Sequence, residues 1–477
     1  MSTPKFESNE PIAKVVEFLE KCNEEKIADQ VLDVYAKYST NIEQLNLLAK
    51  LYLDLRNNEK AEEYGLKVLS LITEPQGLYN ARANLAKMYN SINKPEQSLK
   101  YSKINLIVTP NDVDTLLEQV FSYYLLNQKR ESELILRQLK AREDTLSERH
   151  RNIIDFNLGT YDMESGEFLK GLAGFLINTK KLELWFSGRE LPYQQWNGMI
   201  YPGRTLIMFM EGGGIGDDFI TIRWYDNLKA LGFRPIYYTS KQDIHDIFNR
   251  CGYETVMNLD NIPEDTLWCY AMWTPLLLQV KPEQVLRENY LYPSDKAIAK
   301  WNDNFSSRKV LRIGIRWQGN SKNERDLHRR VPLVDIMNML HSVFDKYYDW
   351  TKYEIEYYSL QIGDGIEEIE NFSELIDFSN RINSFDDTFA FLKHLDFVVS
   401  SCTSVLHAAA IMGVKTYGLI PISAYFTWLS PPTFGRSERT SIWYGDNLQI
   451  FRQVKLNDWS APLNELKEVL EIEYVKS

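Results

Sequence analysis

The stretch TLIMFMEGGGIGDD, residues 205–218, runs from an apolar segment long enough for one strand into three consecutive glycines, an Ile-Gly step and two aspartates. A strand that feeds a glycine turn and then a helix is the joint from which parallel sheets covered by helices are built. The pattern continues outward in that rhythm: a helix over about 219–231, RPIYYTS (234–240), a helix near 241–251 and YETVMNL (253–259). Strand-like runs resume with LRIGIRW (311–317), YEIEYYSLQ (353–361), LDFVVSS (395–401) and KTYGLI (415–420), while residues about 260–308 carry fewer such signals. Strands alternating with helices predict parallel sheets. The last segment, WSAPLNELKEVLEIEY (459–474), has amphipathic helical spacing and is expected to close the fold.

The two alternating blocks read as two Rossmann-like domains, 204–307 and 308–477, with a cleft between the carboxyl ends of their strands. A dinucleotide fingerprint starting at Gly212 meets Gly214 but then Asp217 where the third glycine belongs, which removes the helix–strand packing point and sets a carboxylate against a pyrophosphate. A phosphate loop needs a lysine and a hydroxyl after the glycines, and none follows. There remains a loop at the mouth of a cleft, where Gly214 and Gly216 let a substrate approach the backbone and Asp217 or Asp218 accepts a proton as general base. The competing role is helix N-capping, which suits Asp218 better because it directly precedes Phe219.

The first part of the chain, 1–185, is helical by pattern and repeats itself. LAKLY (48–52), LAKMY (85–89) and VFSYY (120–124) set aromatics at 52, 89 and 124, intervals of 37 and 35. These intervals resemble the tetratricopeptide period of about 34. Ala61 and Ser98 each follow an aromatic by nine residues, where crossing helices need a small side chain, and Pro110 stands where a second helix ends. FNLGTYDMESGEFLKGLAGF (156–175) reads as a degenerate fourth unit that caps the stack. Stacked helix pairs form a concave surface, so a protein partner on the repeats is expected. ELPYQQWNGMIYPGR (190–204) reads as a linker that packs down, over 186–203.

Composition bounds the rest. At 477 residues two or three domains are expected. The 54 Lys and Arg against 66 Asp and Glu give a net charge of −12, which disfavours a nucleic-acid partner. Cys22, Cys251, Cys269 and Cys402 make no Cys-x-x-Cys, so reduced thiols are expected. The N-terminus lacks the features of a signal peptide and no run of about 18 apolar residues occurs, so the expected location is cytoplasmic, with no transmembrane segment.

Anion-seeking chemistry gathers in the second block. In RWQGNSKNERDLHRRVPL (316–333) the loop residues Lys322, Arg325, Arg329 and Arg330 outnumber Glu324 and Asp326. A basic loop after a strand suits a diphosphate, although such clusters are also commonly solvated surface. SSCTSVLHAAAIMG (400–413) follows a strand and opens a helix with Thr403 and Ser404, whose hydroxyls and adjacent N–H groups suit a phosphate, and His407 lies one turn in.

With these stretches assembled, the chain resembles tetratricopeptide-repeat proteins fused to a glycosyltransferase family 9-like domain, the heptosyltransferase-like group, and more distantly O-GlcNAc transferase. The matching segments are PYQQWNG (192–198), GIGDD (214–218), RWQGN (316–320), RRVPL (329–333), YSLQ (358–361), DDTFAFLKHLDFVVS (386–400), TSVLHAAAIMG (403–413) and IWYGDNLQIFRQ (442–453), in the family's order. The resemblance implies a helical tetratricopeptide-like solenoid followed by a GT-B fold. It also implies a catalytic base at Asp217, and donor contacts from Arg329, Arg330, Gln318, Asn320, Thr403, Ser404 and His407. Trp428 and Trp443 match aromatic positions that either border the nucleotide base or belong to the core. Two positions depart: Cys402 stands where an aspartate usually precedes the threonine, and Gly-Gly replaces the Glu-Gln that normally introduces the glycine loop.

The function so implied is inverting, metal-independent transfer of a sugar from a nucleotide diphosphosugar to a protein, glycan or lipid-linked saccharide hydroxyl. The nucleotide diphosphosugar is a co-substrate and no other cofactor is expected. The sole Asp-x-Asp, Asp112-Val-Asp114, lies in a repeat turn, so no metal site is expected. The alternative is a catalytically degenerate repeat protein that scaffolds a partner. Glycosylation of DNA bases is disfavoured by the acidic balance.

Overall fold

The computed structural model describes residues 10–22, 24–177, 191–210, 213–305, 310–320, 326–347, 354–429 and 438–475, which form two compact units, 1–143 and 144–477.

The first unit contains helices α1 (Glu10–Lys21), α2 (Glu25–Ala36), α3 (Ile42–Asp54), α4 (Asn58–Leu71), α5 (Pro75–Ser91), α6 (Pro95–Val108), α7 (Val113–Leu125) and α8 (Lys129–Lys140). Successive pairs use the same contacts. Tyr52 of α3 stacks on Tyr64 of α4, and Tyr89 of α5 stacks on Tyr101 of α6, with centroids 5.5 and 5.8 Å apart. Each inner tyrosine donates its hydroxyl to an acid of the preceding helix, Tyr52 to Asp33 and Tyr89 to Glu62. A lysine that begins the next helical segment neutralises each acid: Lys60 pairs with Asp33 and Lys94 with Glu62. Ala61 and Ser98 are fully buried at the helix crossings, as their small size requires. Asp112, half of the Asp-x-Asp, caps α7 by accepting the Thr115 N–H at 2.8 Å.

The second unit begins with α9 (Glu148–Glu164) and α10 (Phe168–Phe175). The sequence pattern grouped this pair with the repeats up to 185, but the compact boundary falls at Glu143. The reason is packing: Phe168 lies on Trp443, and Phe175 on Tyr425 and Phe426, so the pair's apolar face belongs to the α/β unit. Glycines let the two helices touch through backbone. A Cβ at Gly159 would lie 2.5 Å from the Gly171 carbonyl oxygen, and one at Gly174 would lie 2.5 Å from the Asp155 carbonyl oxygen.

The remaining strands form two all-parallel sheets. The first contains β1 (Gln194–Gln195), β2 (Thr205–Phe209), β3 (Arg234–Tyr238), β4 (Thr255–Val256) and β5 (Leu267–Tyr270), in spatial order β1-β5-β2-β3-β4. It is joined by α11 (Ile215–Thr221), α12 (Tyr225–Ala230), α13 (Gln242–Arg250), α14 (Thr274–Leu277) and α15 (Asp295–Asn302). The second contains β6 (Val310–Arg316), β7 (Glu354–Ser359), β8 (Leu375–Asp377), β9 (Phe397–Ser401), β10 (Lys415–Ile420) and β11 (Leu448–Arg452), in order β11-β10-β9-β6-β7-β8. Its helices are α16 (Asp326–Arg329), α17 (Leu333–Tyr347), α18 (Phe385–Leu392), α19 (Ser404–Ile411) and α20 (Ser460–Leu470). The second order is that of a doubly wound dinucleotide-type sheet, and its strand order reverses between β6 and β9. In the first sheet the corresponding reversal lies between β2 and β5.

Four strands escaped the sequence pattern. β1 lies in the segment read as linker and adds to the edge of β5, with Trp196 donating its N–H to the Trp268 carbonyl. β5 is only LWCY, within the region of weak signals, and β8 has three residues. β11 is hidden in a mixed polar run yet pairs with β10 over five residues. Together these elements fit a GT-B-like arrangement of two parallel sheets. Among the described residues, no helix is long and apolar enough to cross a membrane.

Backbone-on-backbone contact makes α9 and α10 intolerant of any side chain at their glycines. Gly159→Ala is expected to destabilise the fold by about 1–3 kcal/mol in urea denaturation. Gly65→Ala in α4 meets chiefly the movable end of Leu85 and is expected to be neutral or to add up to about 1 kcal/mol, from helix propensity.

Candidate functional site

A cleft of about 1130 Å³ opens in the second unit, lined by the glycine loop after β2, by the ends of β6 and β7, by the start of α18, by the β9–α19 turn and by the loop after β10. It therefore lies at the carboxyl ends of both sheets' central strands, where the loops of such folds converge.

The first-lobe wall is built by the turn into α11. Gly214 is the N-cap of α11, and Asp217, at its third position, reaches back so that Oδ2 accepts the Gly214 N–H at 2.7 Å. Its Oδ1 accepts the Tyr425 hydroxyl at 2.7 Å, a bond between residues 208 apart in sequence. Burial pushes the Asp217 carboxyl above the ordinary carboxylate value, while Tyr425, the Gly214 N–H and Lys241 pull it back.

Asp218 has the opposite fate to the one its position suggested. It caps nothing. Its side chain is fully buried, accepts the Tyr237 hydroxyl at 3.1 Å and forms an ion pair with Lys241. Lys241 also donates to the Gly213 carbonyl at 2.8 Å, which fixes the glycine loop from behind. Burial raises Asp218 to about 6 despite the lysine. The capping and cleft-facing roles thus both fall to Asp217, because the helix starts at Ile215, four residues earlier than Phe219.

The second-lobe wall carries the basic residues. Arg329 lines the cleft: Nε donates to Asp326 at 2.9 Å and Nη1 to the Cys402 carbonyl at 3.1 Å. The guanidinium lies flat across Gly319, where a Cβ would sit 2.1 Å from Nη2. Asn320 borders the cleft as well. Thr403 is the N-cap of α19 without a side-chain capping bond, and its hydroxyl pairs instead with Ser400 at 3.3 Å. With Ser404 it presents the first turn of α19 to the cleft.

His407 borders the cleft too but is packed rather than free. Its ring lies 4.6 Å from Trp428, Nδ1 bonds the Tyr444 hydroxyl at 2.5 Å, and its other edge faces Gly216. A Cβ at Gly216 would come within 3.0 Å of His407 Cδ2, so this glycine, which also lines the cleft, permits the close approach of α11 to α19. Burial and the Arg223 charge push His407 down to about 3, so it is a neutral wall and adds no positive charge.

Two residues carried over from the resemblance point elsewhere. Arg330 pairs with Glu368 at 2.6 Å and is not among the cleft-lining residues. Gln318 is buried; its backbone is bracketed by the Gln361 amide, and its side-chain oxygen lies against Gly365. Trp428 and Trp443 are core residues, 0% and 2% exposed. Lys322, Glu324 and Arg325 lie outside the described residues, as does Gly212.

The sequence reading missed Arg316 and Tyr425. Arg316 ends β6 and lines the cleft; its place at the carboxyl end of a central strand was the signal available. Tyr425 follows β10 and reaches Asp217 only through tertiary structure.

No family model and no curated protein matches the sequence. Among solved structures the chain is similar to a mutant O-GlcNAc transferase of Thermobaculum terrenum, at TM-score 0.34 and 9% identity over 88% of this chain and 84% of that one. It is similar to a glycosyl transferase family 9 protein of Veillonella parvula, at TM-score 0.35 and 7% identity over 59% and 92%. A third is E. coli ADP-heptose lps heptosyltransferase II, at TM-score 0.34 and 11% identity over 57% and 99%. The architecture of the present chain is established by its own strand order and register.

The buried acid behind the loop gives a pH-dependent prediction. Because the folded value of Asp218 lies above the ordinary one, the fold favours the protonated form, and the associated stability is lost as pH rises through about 6. Lys241→Met is expected to cost about 3–5 kcal/mol at pH 7.5, by leaving the carboxylate unpaired. The loss should be smaller at pH 5 and smaller in the Asp218→Asn/Lys241→Met double variant. Urea denaturation at the two pH values reads both.

Proposed function

We propose that this cleft transfers a sugar from a nucleoside diphosphosugar to an acceptor hydroxyl, with inversion at the anomeric carbon and no metal ion. The observation that carries the reading is that the Asp217 carboxylate, from the first lobe, and the Arg329 guanidinium, from the second, line one cleft together with the uncapped first turn of α19. A proton acceptor and an anion seat in one water-accessible gap suit a displacement in which one oxygen attacks as another leaves with negative charge.

In this mechanism the acceptor oxygen attacks the anomeric carbon and its proton passes to Asp217. The new carbon–oxygen bond forms as the bond to the diphosphate breaks, and the electron pair leaves with the nucleoside diphosphate. Arg329 and the N–H groups of α19 meet the growing charge, which is electrostatic work that a metal ion performs elsewhere. Each Asp217 oxygen holds one hydrogen bond in the free protein and keeps a lone pair for the acceptor. Tyr425 then tunes the base, since its donated hydrogen bond favours the ionised carboxylate.

The specific observation favouring the rival, a non-catalytic scaffold, is Cys402, which lines the cleft where the resemblance expects an aspartate. Thermal-shift screening of nucleotide diphosphosugars separates the two, since a ligand of the native state raises its melting temperature. Stabilisation by one of them supports the donor reading, and a flat response across the panel favours the scaffold.

With a donor identified, Asp217→Asn is expected to lower sugar transfer by about 10²–10⁴-fold while donor affinity stays within about twofold. Unchanged turnover would remove the base assignment. The acid limb of kcat/KM should lie above the ordinary carboxylate range, with activity rising as pH increases through it. Tyr425→Phe removes a bond that lowers the Asp217 value, so the limb should move to higher pH; a shift in the opposite direction counts against the assignment.

A further inference from the structure

The second-lobe wall holds a cation to which no motif assigned a role. Arg316 is the last residue of β6 and stands opposite Ser400 of β9 in the parallel register, at the point where the strand order reverses. One of its five N–H donors is spent on protein: Nη1 donates to the Leu360 carbonyl at 2.8 Å. Its Nε is shielded from solvent and has no hydrogen-bond partner among the described residues. Among the described residues no carboxylate lies within ion-pair distance of it. Asp326, the acid whose field favours it most, is already bonded to Arg329 and to the Gly319 N–H.

Arg329 acts on Arg316 in the unfavourable sense. Burial first, and then this neighbouring guanidinium, push Arg316 down to about 10. Two like charges held in one partly buried wall are destabilising unless an anion arrives to share them. Cys402 stands beside them in the same wall where the resemblance expects an aspartate, and the first turn of α19 adds N–H donors with their own positive potential. The acids that act on Arg316 are Asp326, already engaged by Arg329, and Asp364, so an anion in the cleft supplies the counter-charge that neither delivers at ion-pair distance.

We propose that Arg316 is a second anion-binding residue and that Arg316 and Arg329 together take the two phosphates of a nucleoside diphosphate, which makes the site choose diphosphates over monophosphates. A diphosphate ester carries two negative charges across two adjacent groups, one for each guanidinium, and planar guanidinium forks suit phosphate oxygens. A monophosphate concentrates its charge of about −1.5 to −2 on a single group, whereas a diphosphate offers a separate group to each guanidinium. The inference rests on the donor reading above and adds to it the residue that sets the phosphate count.

The test is calorimetric titration of the full chain with UDP, ADP and GDP, with the matching monophosphates, and with inorganic pyrophosphate and phosphate. The wild type is compared with Arg316→Met and Arg316→Lys. At least one nucleoside diphosphate should bind the wild type about tenfold or more tighter than its monophosphate, and pyrophosphate should outbind phosphate. Arg316→Met should lose about tenfold in diphosphate affinity while monophosphate affinity stays within about twofold, collapsing the preference. Arg316→Lys, which keeps the charge but not the fork, should fall between. If the wild type binds no nucleoside diphosphate, the donor reading fails and this inference with it. If it prefers diphosphates and a folded Arg316→Met keeps that preference, only the inference fails. Circular dichroism checks the fold of each variant; should Arg316→Met not fold, an Arg316→Lys protein with undiminished diphosphate preference overturns the assignment.

Discussion

A buried cation that pairs with no carboxylate among the described residues ties together distant parts of the α/β unit. Arg223, 1% exposed, donates to the carbonyls of Ile220, Val285 and Trp443 and to the Tyr290 hydroxyl. Its guanidinium also lies over the rings of Tyr290, Trp443 and Tyr444. A charge taken out of water is tolerated only if its donors are satisfied, so three segments distant in sequence must converge on one point. Those segments are the exit of α11, the loop at 285–290 and the loop before β11, which come from both lobes. The guanidinium therefore fixes how the two sheets face one another, and hence the cleft.

The same charge acts on the cleft wall. With burial as the larger cause, it favours neutral His407, which packs between Trp428 and Gly216 and bonds Tyr444. Because Gly216 has no side chain, α11 approaches α19 closely, and Asp217 is carried to within hydrogen-bond reach of Tyr425. Behind the loop, Lys241 holds both Asp218 and the Gly213 carbonyl. The two adjacent aspartates are thereby divided: one is locked inside as a structural ion pair, and the other is left at the gap with a carboxyl that burial has made more basic. A wall that offers a proton acceptor on one lobe and paired guanidiniums on the other is the physical basis of the transfer chemistry proposed here.

The helical segment shows how a repeat can be legible while its limits are not. Tyr52, Tyr89, Ala61 and Ser98 carry the spacing and occupy equivalent buried positions. Glycines 159, 171 and 174 obey the same need for close helix crossing, so the last pair looks like one more repeat. What assigns it to the α/β unit is the destination of Phe168 and Phe175, and a contact partner is not visible in local spacing.

Periodicity in the amino-acid sequence determined the helical first part, the alternating α/β remainder and the glycine turn. These are local properties: the period of apolar residues and the conformational freedom of glycine. Tertiary structure decided the short strands β1, β5, β8 and β11, whose few residues are held by neighbouring strands rather than by their own pattern. It also decided which aspartate faces the cleft, why Arg330 and Gln318 turn away, and that Arg316 and Tyr425 join the site. A side chain's direction and charge environment depend on groups up to 208 residues away, and the chain carries no local record of those distances.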